Sequence, residues 1–426
     1  MAVKIQNLSF RYANSPASVL SGLNLDVKNG ECAAITGLNG SGKSTLVLAL
    51  SGLLPEYKAG EISGEISGAS AGARVLENVD SQILCETVES EISFFARHSC
   101  SGPKKTPAEI ADNLGIGELL FRRTHTLSSG EKQRLALACG IFCSGSGLAV
   151  LDEPAAWLDD EGADKLLGIL SGLKESGAAV IIAGRRLERL SPAIDAYYLL
   201  NEGKLSACAE PEESAPPVFC GADGEVFLKA ENLAFRPPDG EAVFSGFGIS
   251  LRRGEICGLA GPNGSGKTAV SEILAGIKTS PEGGVFLGGK AASASELRRK
   301  ARLVGQNPFN QLIYQTVRQN FEAARAPSET LAGFLSPILN KDVSELSFSQ
   351  AQRAALACAL ASAPELLILD ETLSVMDGEA VSSSAKLISD FARAGGCILL
   401  VSHLENLVKS ACGRIFRLEG NCACAK

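Results

Sequence analysis

The amino-acid sequence predicts an α/β fold that occurs twice along the chain, and an internal repeat supports this prediction. Residues 29–46 are similar to residues 253–270, and residues 148–154 are similar to residues 366–372. Such self-similarity indicates duplicated structural units. In each copy, short apolar runs lead into glycine-rich loops and then into helix-like segments. Because this succession is typical of parallel sheets with helices on both faces, the predicted fold class is α/β.

The predicted elements follow in the same order in both copies. An apolar strand comes first, a helix follows its glycine loop, and two further buried strands come later. The first copy contains the strands CAAIT, LAVLD and AAVIIA and the helix STLVLALSGLL. The second copy contains the strands ICGLA, LLILD and CILLVS and the helix TAVSEILAGI.

The repeat divides the chain into two predicted domains. They span residues 1–203 and 226–426, and residues 204–225 form a polar linker that contains three prolines and several acidic residues. The whole chain has 426 residues, of which 45% are apolar, so each domain can bury a substantial core.

Composition excludes several classes of protein. The 40 basic and 48 acidic residues leave a net charge of −8, which argues against a protein whose binding depends on neutralising phosphate backbones. We expect no secretory leader and no membrane-spanning helix, because the chain has no apolar run of about 18 residues. Most of the 13 cysteines stand in apolar stretches, so we interpret Cys139, Cys257 and Cys358 as small core residues.

Each copy contains one loop of the pattern G-x4-G-K-[ST], which predicts a nucleotide-binding site. The glycines allow backbone N–H groups to turn toward phosphate oxygens, and the following helix directs its positive end to the same anion. The lysine contacts the β- and γ-phosphates, and the hydroxyl is a ligand of Mg²⁺. The predicted residues of the first loop are Gly37, Asn39, Gly40, Ser41, Gly42, Lys43, Ser44 and Thr45. Those of the second loop are Gly261, Pro262, Asn263, Gly264, Ser265, Gly266, Lys267, Thr268 and Ala269.

An acidic pair ends one apolar strand in each copy. These pairs are Asp152-Glu153 and Asp370-Glu371. The carboxyl ends of parallel strands are where open α/β sheets bind ligands. An aspartate there can hold Mg²⁺, and the glutamate that follows can polarise the attacking water. Together with the two loops, these pairs predict hydrolysis of ATP.

A third motif carries a family resemblance. Residues 127–131 read LSSGE and residues 346–350 read LSFSQ, and an apolar helix that begins with a Q-R pair follows each. These segments resemble the LSGGQ signature of ABC ATPases, and the resemblance covers nearly all of the chain outside the linker. It implies two P-loop NTPase domains, each with a RecA-like core, an antiparallel β subdomain and a helical subdomain.

The resemblance also implies which further residues bind ATP and Mg²⁺. In that family, ATP lies between the phosphate loop of one domain and the signature of the other, where the signature acts as a helix N-terminus. The implied nucleotide contacts are Tyr12, Ser128, Ser129, Gly130, Glu131, Ser347, Ser349 and Gln350. The implied metal ligands are Ser44, Asp152, Thr268, Gln306 and Asp370. Tyr12 would stack on adenine, whereas Pro237 stands at its position in the second copy, where Phe235 is a possible substitute.

A finer resemblance concerns the segments 77–94 and 306–323. Their shared pattern is similar to the ATPase subunits of energy-coupling factor (ECF) importers, although it also fits ABC importers in general. It implies uptake of a vitamin or metal ion, and integral membrane partners: a transmembrane coupling protein and a substrate-capture protein. It places the chain at the cytoplasmic face of the membrane, with no nucleic-acid partner.

Two alternatives remain open at this point. The first is a soluble tandem ABC ATPase that acts on ribosomes or nucleic acid, which the short linker, the net acidity and the lack of a C-x-x-C pair disfavour. The second is a nucleotide-gated regulator with little turnover, which the intact second copy disfavours.

The two copies differ at residues that the resemblance identifies as catalytic. We define the first site by the residues of the first copy and the second site by those of the second. The second site has the family's Gln306 and His403 beside Glu371, whereas Glu77 and Arg185 stand at these positions beside Glu153.

The signatures differ in the opposite sense. Gly130 retains the glycine of the motif, whereas Ser349 replaces it after the bulky Phe348. The resemblance implies that each signature completes the site of the other copy, so all departures fall on the first site. We therefore expect the second site to hydrolyse ATP and the first to bind ATP with slow or no turnover.

Overall fold

The computed structural model describes residues 3–13, 15–38, 40–56, 58–68, 71–98, 105–142, 147–185, 187–211, 224–237, 242–376 and 378–419. The chain forms two compact units, Met1–Glu213 and Ser214–Lys426. Each unit contains a largely parallel sheet and a separate antiparallel sheet, so the predicted α/β class is confirmed.

The described strands of the first unit form two sheets. They are β1 (Val3–Tyr12), β2 (Leu20–Val27), β3 (Cys32–Thr36), β4 (Gly60–Ser67), β5 (Ala71–Val75), β6 (Leu148–Asp152), β7 (Ala179–Ala183), β8 (Ala196–Asn201) and β9 (Lys204–Cys208). The antiparallel sheet has the order β2-β1-β4, and the six-stranded sheet has the order β5-β6-β7-β3-β8-β9. Strands β3, β6 and β7 pair in parallel and are almost wholly buried, which explains their continuous apolar sequences.

The described helices of the first unit pack on this sheet and beside it. They are α1 (Lys43–Leu50), α2 (Val88–His98), α3 (Pro107–Asn113), α4 (Ser129–Leu137) and α5 (Asp160–Glu175). Single helical turns lie at Val79–Ser81, Gly117–Leu119, Thr124–Thr126, Ala138–Phe142 and Glu188–Ala193. One core cluster joins α2, α3 and α4 to the sheet, and another joins α1 to the antiparallel strands.

The second unit repeats this plan. Its described strands are β10 (Val226–Phe235), β11 (Phe244–Arg252), β12 (Ile256–Ala260), β13 (Gly284–Leu287), β14 (Lys290–Ala291), β15 (Ala301–Val304), β16 (Leu366–Asp370), β17 (Cys397–Ser402) and β18 (Arg414–Arg417). Its described helices are α6 (Lys267–Leu274), α7 (Ala294–Lys300), α8 (Val317–Glu322), α9 (Glu329–Leu335), α10 (Phe348–Ala361), α11 (Gly378–Arg393) and α12 (Glu405–Ala411). Short turns lie at Pro308–Asn310, Val343–Glu345 and Thr372–Val375. The sheet orders are β11-β10-β13-β14 and β15-β16-β17-β12-β18.

One boundary differs from the prediction. Strand β9 lies within the predicted linker of residues 204–225, yet it pairs antiparallel with β8 at the edge of the first unit's sheet. A tight hairpin turn joins the two strands, because Glu202 and Gly203 both have positive φ, as a type I′ turn requires. The first domain therefore continues at least to Cys208.

The interpretation of the cysteines is confirmed at two positions. Cys139 and Cys257 are buried, and Cys358 is partly buried on α10. Burial raises the pKa of the Cys358 thiol to about 12, which keeps it protonated near neutral pH.

Candidate active sites

Both phosphate loops connect a buried strand to a helix. Gly42 and Gly266 cap helices α1 and α6 with φ values of 106° and 98°, a conformation that glycine adopts without strain. A Cβ at Gly37 would lie 2.3 Å from the carbonyl oxygen of Leu200, so this loop also needs glycine for close packing. The glycines of the motif are therefore required by the packing and backbone conformation of the loop, in addition to the space they leave for an anion.

The two loop lysines occupy matching positions. The Lys43 Nζ donates to the carbonyl oxygens of Gly37 at 2.8 Å and Leu38 at 3.1 Å. The Lys267 Nζ likewise donates to the carbonyl oxygen of Gly261 at 2.7 Å. Both lysines are 6% exposed, so each loop folds around a buried cation. This arrangement suits a phosphate group.

The other predicted loop residues lie close to these lysines. The buried Ser41 and Ser265 hydroxyls have no hydrogen-bond partner among the described residues. The Thr45 hydroxyl lies 2.8 Å from the Tyr12 hydroxyl, which ties the predicted adenine platform to α1. Gly40, Pro262, Asn263 and Gly264 lie in the two strand-to-helix loops, whereas Ser44, Thr268 and Ala269 lie in the first turns of α1 and α6. Asn39 lies outside the described residues.

The adenine platform of the second unit differs. Phe235 is half-buried, and its ring centroid lies 6.4 Å from that of Phe244. The Lys278 ammonium lies 5.0 Å from the centroid of the Phe235 ring. Its equivalent in the first unit is Phe10, which is completely buried. The role of Phe235 in adenine binding stays a prediction.

The carboxylates at the strand ends fit a divalent cation. Both oxygens of Asp370 and one oxygen of Asp152 are buried without a hydrogen-bond partner among the described residues. Burial and the neighbouring Glu371 raise the pKa of Asp370 to about 7. The Gln306 side-chain amide donates to the Thr268 hydroxyl at 3.3 Å. Hydroxyl, amide and carboxylate oxygens are the ligands that Mg²⁺ prefers.

The strand-end glutamate of the second unit lies in a network of hydrogen-bond donors. Glu371 is 3% exposed, and its Oε2 accepts hydrogen bonds from the Ser374 hydroxyl at 2.7 Å and the Ser402 hydroxyl at 2.9 Å. Its Oε1 accepts from the His403 backbone N–H at 2.7 Å and from the His403 ring Nδ1 at 2.9 Å. Burial alone would raise the pKa of Glu371, but His403, Lys267 and Ser374 outweigh it and hold that pKa at about 2.

The strand-end glutamate of the first unit has different neighbours. Glu153 forms an ion pair with Arg185, whose Nε lies 3.3 Å from Oε1, and both side chains are largely buried. Glu77 lies nearby, where it hydrogen-bonds with the Ser44 hydroxyl. Burial, followed by the charge of Glu153, raises the pKa of Glu77 to about 7. The two residues that depart from the family pattern, Glu77 and Arg185, therefore both act on Glu153 or its surroundings in the first unit.

The signature residues begin a helix in each unit. Ser128 caps α4 and Ser347 caps α10, and each forms a capping box, with Glu131 and Gln350 respectively. Ser129 begins α4, and Gly130 is buried in its first turn. Ser349 is also buried, at 3% exposure.

The bulky residue of the second signature packs inward. The ring of Phe348 is 8% exposed and lies 6.0 Å, centroid to centroid, from that of Phe309, which follows Gln306. It therefore packs against the segment that carries a predicted metal ligand.

Comparison with known proteins identifies the family. A family model described as ABC transporter matches residues 20–156 and 244–374, which together make up more than half of the chain. The chain belongs to the ABC transporter family. It is thus an ATP-binding, ATP-hydrolysing protein with two ABC ATPase domains, as the signature motifs predicted.

Relatives of similar length are tandem members of the ABC transporter family. A protein of Methanosarcina mazei, provisionally named an ABC transporter ATP-binding protein, is 30% identical over 98% of this chain and 93% of its own length. An Enterococcus faecalis protein with the same provisional name is 25% identical over 95% of this chain and 87% of its own length.

Solved structures share the ABC ATPase fold. The RNase-L Inhibitor matches with a TM-score of 0.62 and 20% identity, over 97% of this chain and 89% of its own. A chain from a model of ribosome-bound archaeal Pelota and ABCE1 matches with a TM-score of 0.70 and 20% identity, over 97% and 77% of the two chains. At this identity the likeness concerns the fold alone.

The described part of this ABC ATPase includes no helix that is long and apolar enough to cross a bilayer.

Sequence reasoning missed several residues that shape the ABC sites. Ser374 and Ser402 were not predicted, although a serine before His403 and another three residues after Glu371 could have suggested a contact. The buried Gln133 and Gln352 were also missed. Their side chains donate to the carbonyl oxygens of Pro154 at 3.1 Å and Gly305 at 3.2 Å, which connects each signature helix to a neighbouring loop.

Proposed function

We propose that this protein is the ATP-hydrolysing subunit of an importer of energy-coupling factor type. It drives uptake of a vitamin or metal ion through separate membrane subunits, a transmembrane coupling protein and a substrate-capture protein. It binds peripherally at the cytoplasmic face of the membrane, and Mg²⁺ accompanies ATP. The second site hydrolyses ATP, and the first binds ATP with slow or no turnover.

A pair of exposed apolar side chains carries this proposal. Leu84 and Ile313 stand at equivalent positions of the two units and are 66% and 78% exposed. Large exposed apolar side chains that cluster mark interaction surfaces. In the first unit, Phe121 is 84% exposed and stands three residues before Thr124, whose hydroxyl donates to the carbonyl oxygen of Cys85, the residue after Leu84, at 2.7 Å.

The segments that carry these side chains have a defined conformation. The Leu84 backbone N–H donates to the buried Glu91 carboxylate at 3.0 Å. In the second unit, the Tyr314 N–H donates to the buried Asn320 side-chain oxygen at 3.1 Å. A buried polar group thus fixes the backbone while the apolar side chain stays in water. Such preorganisation favours binding to an apolar partner, because little ordering remains to be done.

The chemistry of the second site supports its assignment as the hydrolytic site. Glu371 is positioned at the carboxyl end of β16 with Asp370 and Lys267 nearby, and its carboxylate is ionised. It can therefore polarise a water molecule for attack, while Lys267 faces the phosphate loop. Mg²⁺, when bound, neutralises phosphate charge during the transfer.

Membrane binding tests this proposal. The wild type and a Leu84→Glu/Ile313→Glu variant would be mixed with membranes stripped of peripheral proteins, taken from the cells that produce the protein. We expect the variant to lose at least about tenfold in co-sedimentation, because burying a carboxylate in an apolar interface is unfavourable. The matched control is Ile277→Glu, which changes an isoleucine of the second unit that is 58% exposed.

All three proteins should bind a fluorescent ATP analogue equally, since none of these residues belongs to the nucleotide sites. Equal sedimentation of both variants with membranes contradicts the proposed surface. Sedimentation of the wild type with ribosomes and not with membranes would overturn the transport function in favour of a soluble tandem ATPase.

A further inference from the structure

In the first site, a carboxylate stands where the second site has an amide. Glu77 occupies the position that is equivalent to Gln306 of the second unit. The Glu77 carboxylate hydrogen-bonds with the Ser44 hydroxyl, and the Gln306 amide hydrogen-bonds with the Thr268 hydroxyl in the same way. Asp152 also hydrogen-bonds with Ser44. The Ser44 hydroxyl, a predicted Mg²⁺ ligand, therefore lies between two carboxylates in the first site, whereas the Thr268 hydroxyl accepts from the Gln306 amide in the second.

A compensating charge accompanies this carboxylate. Arg185 occupies the position that is equivalent to His403 of the second unit. Its guanidinium lies close enough to Glu77 to stabilise the negative charge of the Glu77 carboxylate. The guanidinium carries a positive charge at every physiological pH, unlike an imidazole. The two substitutions thus introduce opposite charges into one buried cluster. The ion pair between Arg185 and Glu153 also occupies the glutamate that would otherwise polarise water.

We propose that Glu77 is an additional carboxylate ligand for the divalent cation, so that the first site retains the metal–nucleotide complex more tightly than the second. This inference deepens the proposed function and rests on ATP binding at the first site. The affinity of a site for a hard divalent cation rises with the number of charged ligands. Arg185 offsets the negative charge that Glu77 adds to the site. Its ion pair with Glu153 also prevents that carboxylate from polarising a water molecule.

One unpartnered oxygen supports a metal at this position. The Asp152 Oδ1 is buried and has no hydrogen-bond partner among the described residues, although Lys43, Ser44 and Glu77 all lie near its carboxylate. A buried carboxylate oxygen without a donor is unfavourable unless a cation completes it. The geometry around Ser44 thus provides three oxygen-bearing side chains at one point, two of them carboxylates.

The test measures binding of Mn²⁺, a spectroscopic substitute for Mg²⁺, in the presence of a non-hydrolysable ATP analogue. Electron paramagnetic resonance reports free Mn²⁺ directly and needs no turnover. Two full-length variants are compared: Lys267→Ala alone, and Lys267→Ala together with Glu77→Gln. In both, Lys267→Ala weakens nucleotide binding at the second site, so that the first site reports. We expect Glu77→Gln to weaken Mn²⁺ binding at the first site by about tenfold.

The reverse substitution provides the matched control. Gln306→Glu would be measured in a chain that carries Lys43→Ala, so that only the second site reports. We expect Mn²⁺ binding there to strengthen severalfold. Release of bound nucleotide after addition of a chelator should become faster with Glu77→Gln and slower with Gln306→Glu.

The outcomes separate this inference from the proposed function. If Glu77→Gln binds Mn²⁺ as tightly as its parent, Glu77 serves as a neutral stand-in for glutamine and the inference is wrong. That result leaves ATP binding at the first site intact. If the Lys267→Ala variant, in which only the first site can bind nucleotide, binds none, the proposed division of roles between the two sites is wrong as well. Circular dichroism of each variant excludes loss of folding.

Discussion

The two glutamates at the strand ends, Glu153 and Glu371, have the same backbone conformation and different surroundings. Glu153 and Glu371 follow equivalent strands, β6 and β16, and have φ values of 46° and 55°. In each case the backbone N–H donates to the neighbouring strand, to Ala183 in one unit and Val401 in the other. The fold therefore positions both glutamates alike. What differs is the set of side chains that contact each carboxylate.

Three positions account for the difference. Ser374, Ser402 and His403 surround Glu371 with donors. The equivalent residues near Glu153 are Ala156, Gly184 and Arg185. Hydroxyl and imidazole donors orient a carboxylate and leave it able to interact with water, whereas a buried guanidinium pairs with it as a fixed charge. The comparison shows that a duplicated fold can retain the position of a glutamate and change the side chains that contact it.

The largest effect is expected from removing the second glutamate. Glu371→Gln should lower the ATPase rate by about 10²–10³-fold or more, because the amide cannot polarise water as a carboxylate does. ATP binding should persist, since the phosphate loop is unchanged. The control is Glu153→Gln, which should change the rate less than about twofold. Equal loss in both variants, measured as steady-state phosphate release, would make the two sites equivalent and contradict the comparison.

A smaller loss is expected from exchanging the residue next to each glutamate. His403→Arg should lower turnover by about 10²-fold, because the guanidinium replaces a positioned imidazole and forms an ion pair like that of the first unit. Arg185→His alone should restore little activity, since Ala156 and Gly184 supply no hydroxyl donors. Steady-state ATPase rates of the two single variants provide the measurement. A fully active His403→Arg variant would mean that the imidazole is not part of the catalytic machinery.

Sequence reasoning found the residues that carry strong local patterns. The loop lysines Lys43 and Lys267, and the strand-ending Asp152 and Asp370, lie where the motifs predicted. Such positions are predictable because one short segment fixes them: a strand end, a glycine loop or a helix cap. The capping boxes of Ser128 and Ser347 belong to the same class.

Contacts between distant segments escaped prediction. The hydrogen bond from Ser402 to Glu371 joins two strands whose register places Asp370 beside Val401, and the sequence does not specify that register. The inward packing of Phe348 against Phe309 depends on how α10 lies beside another loop. Strand β9 was assigned to the linker because its polar composition resembles that of the linker, although the turn at Glu202 and Gly203 commits it to the sheet.

The two serines near Glu371 should have a moderate effect. Each of Ser374→Ala and Ser402→Ala removes one hydrogen bond to the carboxylate, so we expect kcat to fall by about three- to tenfold, equivalent to about 1 kcal/mol. KM should change little, because neither serine lies in the phosphate loop. The matched control is Ser410→Ala on α12, whose hydroxyl donates to the backbone of Leu407. A change in KM without a change in kcat would show that these serines support nucleotide binding instead.

The smallest effect concerns the caps of the two signature helices. The Glu131 carboxylate accepts from the Ser128 N–H at 2.6 Å, whereas the Gln350 side-chain oxygen accepts from the Ser347 N–H at 3.2 Å. A negative charge at a helix N-terminus is stabilising by about 0.3–1 kcal/mol. Glu131→Gln should therefore weaken hydrogen-exchange protection in the first turn of α4 by about two- to fivefold, and Gln350→Glu should strengthen it in α10.

The two substitutions should act in opposite directions because they exchange the same pair of residues between equivalent caps. Salt provides an internal control, since the effect of the charge should decline as ionic strength rises. Glu131 also lies 3.6 Å from the Arg122 guanidinium, and we expect this partly exposed ion pair to contribute little. If protection falls in α4 and does not rise in α10, that expectation is wrong, and the ion pair with Arg122 rather than the helix dipole stabilises the cap.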